Sequence, residues 1–303
     1  MIALGKYNTL KIVKRVDFGL YLSEPAEGTA KADAPESEIL LPLRYVTPDM
    51  HIGDKVSVFI HLDQQERIVA TTEKPIATVG QFACLECSWT NQYGAFLAWG
   101  IQMKDLFCPF REQKQRMERG RKYIVYIRID EESYRIMATA KVERYLEQAR
   151  PGARSHKETR EGYTTQPLVH GTQVDCLVWQ KTPLGFKCIV DNQYQGMLYD
   201  NQLFKHITTG DRFTAYVDHI RNDGKIDLTI QPTGHRQTLD FAEQLLAYLY
   251  ENNGRCELSD HSEAELIYDR FKVSKKVFKR AIGDLYRRRL INISDTEGIS
   301  LAQ

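Results

Sequence analysis

A pattern of five short strands is written three times along this chain, and it leaves few folds open. Each copy begins with a strand running into a Gly-centred strand. Lys11-Ile12-Val13-Lys14-Arg15-Val16 leads to Phe18-Gly19-Leu20-Tyr21-Leu22, the segment from Trp89 leads to Tyr93-Gly94-Ala95-Phe96-Leu97, and Val174-Asp175-Cys176-Leu177-Val178-Trp179 leads to Leu184-Gly185-Phe186-Lys187-Cys188. A short apolar strand comes next: Ile39-Leu40-Leu41-Pro42, Leu106-Phe107-Cys108-Pro109, Gly196-Met197-Leu198-Tyr199. Gly plus charge then opens a long alternating strand from Gly53, Gly120 and Gly210, and each copy closes with one more strand from Arg67, Arg135 and Lys225. Five strands in roughly 70 residues, repeated, is the mark of small closed barrels.

Past Gly234 the apolar period changes from two to 3.6. Leu239, Ala242, Leu245, Leu246 and Leu249 line one helix face up to Asn253-Gly254, a helix stop. Ser262-x-x-Glu265 reads as a capping box opening a helix over 263–271. Ser274 can cap a third helix over 275–288 with Val277, Phe278, Ala281, Ile282 and Leu285 inward, and 290–301 reads as a hairpin. Three helices and a hairpin make a winged helix. The reading is therefore mainly β: barrels at 1–72, 73–140 and 167–232, a helix and polar linker at 141–166, and a winged helix at 233–303. The 113–118 stretch reads as a short crossing helix, 141–149 as a helix with Val142, Tyr145, Leu146 and Ala149 on one face, and the stretch from Ser23 to Glu38 as a mobile surface insertion. Arg150, Arg154, His156, Lys157 and Arg160 fall in the linker, where charge is ordinarily solvated. Asn222-Asp223-Gly224-Lys225 is a two-residue hairpin signal of type I′.

Tyr93 and Phe96 would face opposite sides of a regular strand. Gly94 permits a bulge or bend that brings both rings to one side, where they form a platform for flat groups, bases above all. The same rings can equally serve as core; what favours the surface is that the pattern recurs.

The strand order resembles the RNA-binding S-one OB barrel. Three such barrels with a helical tail resemble the conserved virulence factor B (CvfB) family of bacterial RNA-binding regulators. The resemblance rests on Pro109-Phe110-Arg111-Glu112-Gln113 through Gly120 and Tyr123 to Tyr126, on Tyr216-Val217 with 220–228, and on 274–286. It implies an RNA face on the second and third strands of each barrel. The ring positions carried over are Phe18 and Tyr21, then Tyr93 and Phe96; in the third barrel Leu184 and Lys187 stand there, with Phe186 between. The family's His position holds Pro42, Pro109 and Tyr199, of which only Tyr199 can stack. Arg128 and Arg221, at the ends of the long strands, can reach phosphate or stack. Lys275, Lys276, Lys279 and Arg280 mark the third helix as the one that docks on nucleic acid; Lys275 and Lys276 sit at its N-terminus, where the helix dipole disfavours cations.

Composition narrows the rest. The net charge is +1 over 303 residues, so the placement of charge matters more than its sum. No apolar run is long enough to span a bilayer, and Met1 is not followed by a leader pattern. The six Cys suit reduced thiols in a cytoplasmic protein. Cys84-x-x-Cys87 lacks the second pair or His partners that zinc needs, with Cys108 alone at hand, so no metal or cofactor is expected. No phosphate loop, His-Glu-x-x-His or Gly-x-Ser-x-Gly is present. The expectation is a non-catalytic, monomeric, cytoplasmic binder of single-stranded RNA that regulates gene expression, its affinity built from modules in series. The alternatives are a scaffold for ribosome-associated or RNA-degrading proteins and a DNA binder led by the winged helix.

Overall fold

The structure is a computed structural model and describes residues 2–25, 38–102, 104–150, 152–159, 162–200, 206–230, 235–271, 273–294 and 298–302. The insertion expected after Ser23 falls on 26–37, outside the described residues.

Three closed five-stranded barrels form, as the repeat implies. The first holds β1 (Tyr7–Val16), β2 (Gly19–Ser23), β3 (Ile39–Pro42), β4 (Lys55–Leu62) and β5 (Ile68–Thr71). The second holds β6 (Phe82–Thr90), β7 (Gly94–Leu97), β8 (Leu106–Pro109), β9 (Lys122–Ile129) and β10 (Ile136–Thr139). After a hairpin of β11 (Arg154–Thr159) and β12 (Gly162–Pro167), the third holds β13 (Gln173–Thr182), β14 (Gly185–Val190), β15 (Tyr194–Tyr199), β16 (Arg212–Ile220) and β17 (Ile226–Thr229). The strand order repeats, and the third and fifth strands of each barrel pair in parallel.

Closure leaves the same signature in each. The register of the first two strands slips by one residue between Ile12 and Lys14, Cys87 and Trp89, and Val178 and Gln180. A bulge bends a strand and increases its twist, which a small barrel requires. After the slip, Lys14 faces Tyr21, Trp89 faces Phe96, and Gln180 faces Lys187. The bend expected at Gly94 is therefore on the neighbouring strand. Gly94 itself answers a close approach: a Cβ there would lie 2.4 Å from the Cys108 carbonyl oxygen and 2.8 Å from the Phe107 ring.

The described residues divide into two compact units. In the first (1–148, 176–195 and 206–212), Phe59 of β4 joins the core of the second barrel, edge-on to Trp99 at 5.4 Å. Trp99 Nε1 donates to the Ala77 carbonyl at 2.7 Å, so the buried indole is satisfied. Phe82, Ile124, Val142, Leu177, Trp179 and Ile189 form a further buried cluster. Asn192 completes that seam like a strand's backbone: its Nδ2 donates to the Gly80 carbonyl at 2.9 Å and its Oδ1 accepts from the Phe82 N–H at 2.7 Å.

Four local expectations are corrected. No helix forms over 113–118; a 3-10 turn covers Phe110–Glu112, and the buried Gln113 side chain donates to the Cys108 carbonyl and accepts from the Met117 N–H, bracing an irregular loop. At 141–149 only a 3-10 turn, Val142–Tyr145, is present; the chain then runs extended, bridging Glu147 to Tyr194. The apolar spacing there came from a buried turn, not a helix. The linker at 141–166 contains the β11–β12 ribbon, whose polar residues hid it. In the Asn222–Gly224 hairpin only Gly224 has positive φ (78°), and its N–H donates to the Arg221 carbonyl, which is a type I turn with Gly in the left-handed position rather than I′.

The winged helix lies in the second unit: α1 (His235–Glu251), β18 (Arg255–Cys256), α2 (Ala264–Phe271), α3 (Lys275–Arg287), β19 (Ile291–Ser294) and β20 (Gly298–Leu301). Ala242, Leu245 and Leu249 of α1 meet Phe278, Ile282 and Leu285 of α3 in one core; the Leu239 side chain lies outside the described residues. Gly254 (φ 75°) ends α1, its N–H reaching the Leu249 carbonyl at 2.7 Å. Ser274 caps α3 through the Val277 N–H as expected. Ser262 caps nothing: its Oγ accepts from the Ser259 N–H, and α2 begins at Ala264. Among the described residues no helix is long and apolar enough to cross a membrane.

Gly94→Ala should destabilise the chain by about 1–3 kcal/mol, because the nearest atom met is backbone that cannot swing aside. Urea unfolding checks this, and an unchanged midpoint would refute the close-approach account.

Candidate nucleic-acid interface

The second barrel gathers rings on one face because paired positions on neighbouring strands point the same way. Trp89 of β6 pairs with Phe96 of β7, which pairs with Phe107 of β8. Trp89 and Phe96 lie stacked, 3.7 Å apart and 2° from parallel, and Phe107 follows at 5.0 Å with a 40° tilt. Tyr93 stands beside them in the turn, 65 % exposed. Asn91 Oδ1 accepts from the Tyr93 and Gly94 N–H groups at 2.8 and 3.1 Å, which fixes the turn that presents Tyr93.

These rings line a groove of about 950 Å³ within the first unit. His61, Leu62 and Glu66 supply another part of its lining. Its charge is mixed. Asp130 is held by Ser133 Oγ at 2.8 Å, by Arg128 at 3.0 Å and by Arg111 at 3.6 Å; the Ser133 hydrogen bond, backed by the two guanidinium groups, keeps its carboxyl below the usual range. Arg135 pairs with Glu66. Lys104 Nζ donates to the Asp63 carbonyl at 3.0 Å, and burial lowers its pKa. Arg111 and Arg135 are both exposed, and the contact of Arg111 to Asp130 is a long one.

In the first barrel Phe18 is exposed and meets Tyr21 edge-on at 6.3 Å, with Lys14 Nζ 5.9 Å above the Tyr21 ring. The face is open and cationic, and it carries one free ring.

The third barrel departs further. Phe186 is only 7 % exposed, with Lys181 Nζ 4.2 Å over its ring, so it is not an open stacking surface. Gln180 and Lys187 occupy the places of Trp89 and Phe96. Arg221 is tied back: its Nε donates to Asp227 at 2.9 Å and its Nη2 to the Tyr199 hydroxyl, which pins both Arg221 and Tyr199. Arg128 is held likewise by Asp130. The sequence placed both arginines at strand ends correctly but could not show the carboxylates that hold them.

On α3, Lys276, Lys279 and Arg280 are exposed and Lys275 is half-buried. Lys279 lies 3.8 Å from Asp260; Lys275, Lys276 and Arg280 form no ion pair among the described residues. Arg287 and Arg288 lean on Asp284 at 3.9 and 3.5 Å.

Trp89, Phe107 and Arg111 were not among the expected site residues. For Trp89 and Phe107 the signal is the pairing register, which follows only once the bulge is placed; Arg111 lies outside the strands, in the 3-10 turn after β8. Among the described residues no cluster of His, Cys, Asp and Glu could hold a metal ion. The cysteines are free, and burial pushes the Cys108 thiol up to about 12.

Residues 243–301 match the CvfB-like winged helix domain, and residues 4–73 match the S1 domain. The chain resembles the conserved virulence factor B proteins. It is 21 % identical to conserved virulence factor B of Staphylococcus saprophyticus over 84 % of this chain and 82 % of that protein. It is 26 % identical to the uncharacterized protein YitL of Bacillus subtilis over 93 % of this chain and 89 % of that one. A solved multidomain protein with nucleic acid binding domains from Streptococcus pneumoniae aligns over 98 % of both chains at 19 % identity, with a TM-score of 0.39. The S1 and CvfB-like matches bracket the chain, and the two barrels between them repeat the first barrel's strand order.

His61 gives a pH test of the groove's floor. It is buried, its Nδ1 donates to the Leu62 carbonyl at 3.0 Å, and its Nε2 has no hydrogen-bond partner among the described residues. Burial lowers its pKa. The unfolded chain therefore binds the proton more readily, and stability falls as pH drops through about 6.5 toward the lower folded value. Urea midpoints should fall between neutral and mildly acid pH, and fall less in His61→Gln; equal losses in both proteins would contradict this.

Proposed function

We propose that this protein binds single-stranded RNA on the ring faces of its first two barrels and acts as a non-catalytic, cytoplasmic, monomeric regulator of gene expression. The observation that carries this reading is the Trp89–Phe96–Phe107 stack lining an open groove beside exposed Tyr93 and Arg111. Flat rings with an adjacent guanidinium suit bases and phosphate together. A duplex hides the base faces such a surface needs, so a single strand fits better. The S1 match supports nucleic acid as the ligand, and a regulatory outcome is what the resemblance to the conserved virulence factor B family implies.

A second reading has its own observation. Lys276 and Arg280 are exposed on α3, unpaired among the described residues, in a winged-helix domain. In that reading α3 leads, docking Lys275, Lys276, Lys279 and Arg280 against duplex phosphates.

Fluorescence anisotropy with a labelled oligouridine and a DNA duplex of equal length separates the two. The expected result is micromolar or tighter binding to the single strand, preferred over duplex, and weakening at least about tenfold between 50 and 200 mM salt. Stronger binding to duplex would favour α3. No binding to either would favour a protein partner, such as a ribosome-associated or RNA-degrading assembly, and would refute the RNA reading.

A further inference from the structure

The repeat pattern nominates Tyr93 and Phe96 in the second barrel, yet Phe96 has little free face. Trp89 covers one side in parallel at 3.7 Å, and Phe107 leans on it at 5.0 Å. A ring sandwiched in this way cannot receive a base without losing a stack it already has. Trp89 is placed differently: one indole face rests on Phe96, and the residue is 45 % exposed at the groove. We propose that Trp89 supplies the surface on which a base stacks, with Phe96 as the positioning residue that holds the indole flat. This rests on the single-stranded RNA reading and names the residue that does the stacking.

The three barrels support the assignment by contrast. The position created by the bulge is Lys14 in the first barrel, Trp89 in the second and Gln180 in the third. Lys14 lies over Tyr21, and Gln180 faces Lys187. The second barrel alone puts an aromatic ring there, and an indole offers the largest π-face among side chains. Tyr93 flanks it, and Arg111 lines the same groove for a phosphate. The second barrel therefore carries most of the stacking energy, while the first adds cations and Phe18.

The chain provides its own reporter. Of its three tryptophans, Trp99 and Trp179 are buried, so Trp89 is the indole a ligand can touch. The full chain is titrated with oligouridine while tryptophan emission and the anisotropy of labelled RNA are read together. Emission should be quenched with the same midpoint as the anisotropy change. Trp89→Phe should abolish the quench and keep affinity within a few-fold. Trp89→Ala should weaken binding roughly five- to hundredfold, and Phe96→Leu should weaken it less than Trp89→Ala. Thermal melts by circular dichroism confirm that the variants fold. Binding without quenching, with Trp89→Ala within twofold of the parent or Phe96→Leu the costlier change, overturns the Trp89 assignment and leaves RNA binding standing. No anisotropy change at all overturns both.

Discussion

Closing five short strands into a barrel forces the first of them to bend sharply, and in each barrel the bend is taken up by one extra residue at the same place. Everything on the ring face follows from that slip. It brings Lys14 over Tyr21, Trp89 over Phe96 and Gln180 opposite Lys187. Close approach of the second and third strands completes the geometry. A Cβ on Gly94 would meet the Cys108 carbonyl, and one on Gly19 would meet the Leu41 carbonyl at 2.2 Å. One scaffold thus presents three chemistries: ring and cation, stacked rings, and amide with ammonium.

The second consequence concerns rigidity. Within the first unit, cores run from barrel to barrel instead of stopping at each one. Phe59 of the first barrel packs in the second barrel's core, and Trp179 sits in a cluster with Phe82 and Ile124. Asn192 and Arg212 then satisfy backbone groups at Gly80 and Phe82, with Arg212 Nη2 2.6 Å from the Phe82 carbonyl. Modules strung on loose linkers gain affinity through effective concentration. For the RNA binding proposed above, a groove lined from both β4 and β7 within one packed unit needs less ordering than modules on loose linkers.

Strand existence and order were legible in the sequence because period-two alternation and the Gly-plus-charge openings survive in all three copies. The winged helix was legible too: Ser274 caps α3, and Val277, Phe278, Ala281, Ile282 and Leu285 are all buried. What escaped was set by packing. Gln113 braces a loop with its side chain, so a helix-prone composition gave no helix. The β11–β12 ribbon is polar and carried no alternation to detect. At the site, Phe18 and Tyr93 emerged as exposed rings, as the repeat suggested. Phe186 did not, because Lys181 lies over it, and Arg128 and Arg221 are held by Asp130 and Asp227. Trp89 was in plain sight, but which way it points depends on a one-residue slip that no local pattern announces.

The central claim is that a single strand lies along the second barrel's ring groove. Hydrogen–deuterium exchange of the full chain with and without oligouridine tests it directly. Protection is expected at 88–96 and 106–111, the segments carrying Trp89, Tyr93, Phe96, Phe107 and Arg111. Protection confined to 275–288, or none at saturating RNA, would contradict the account.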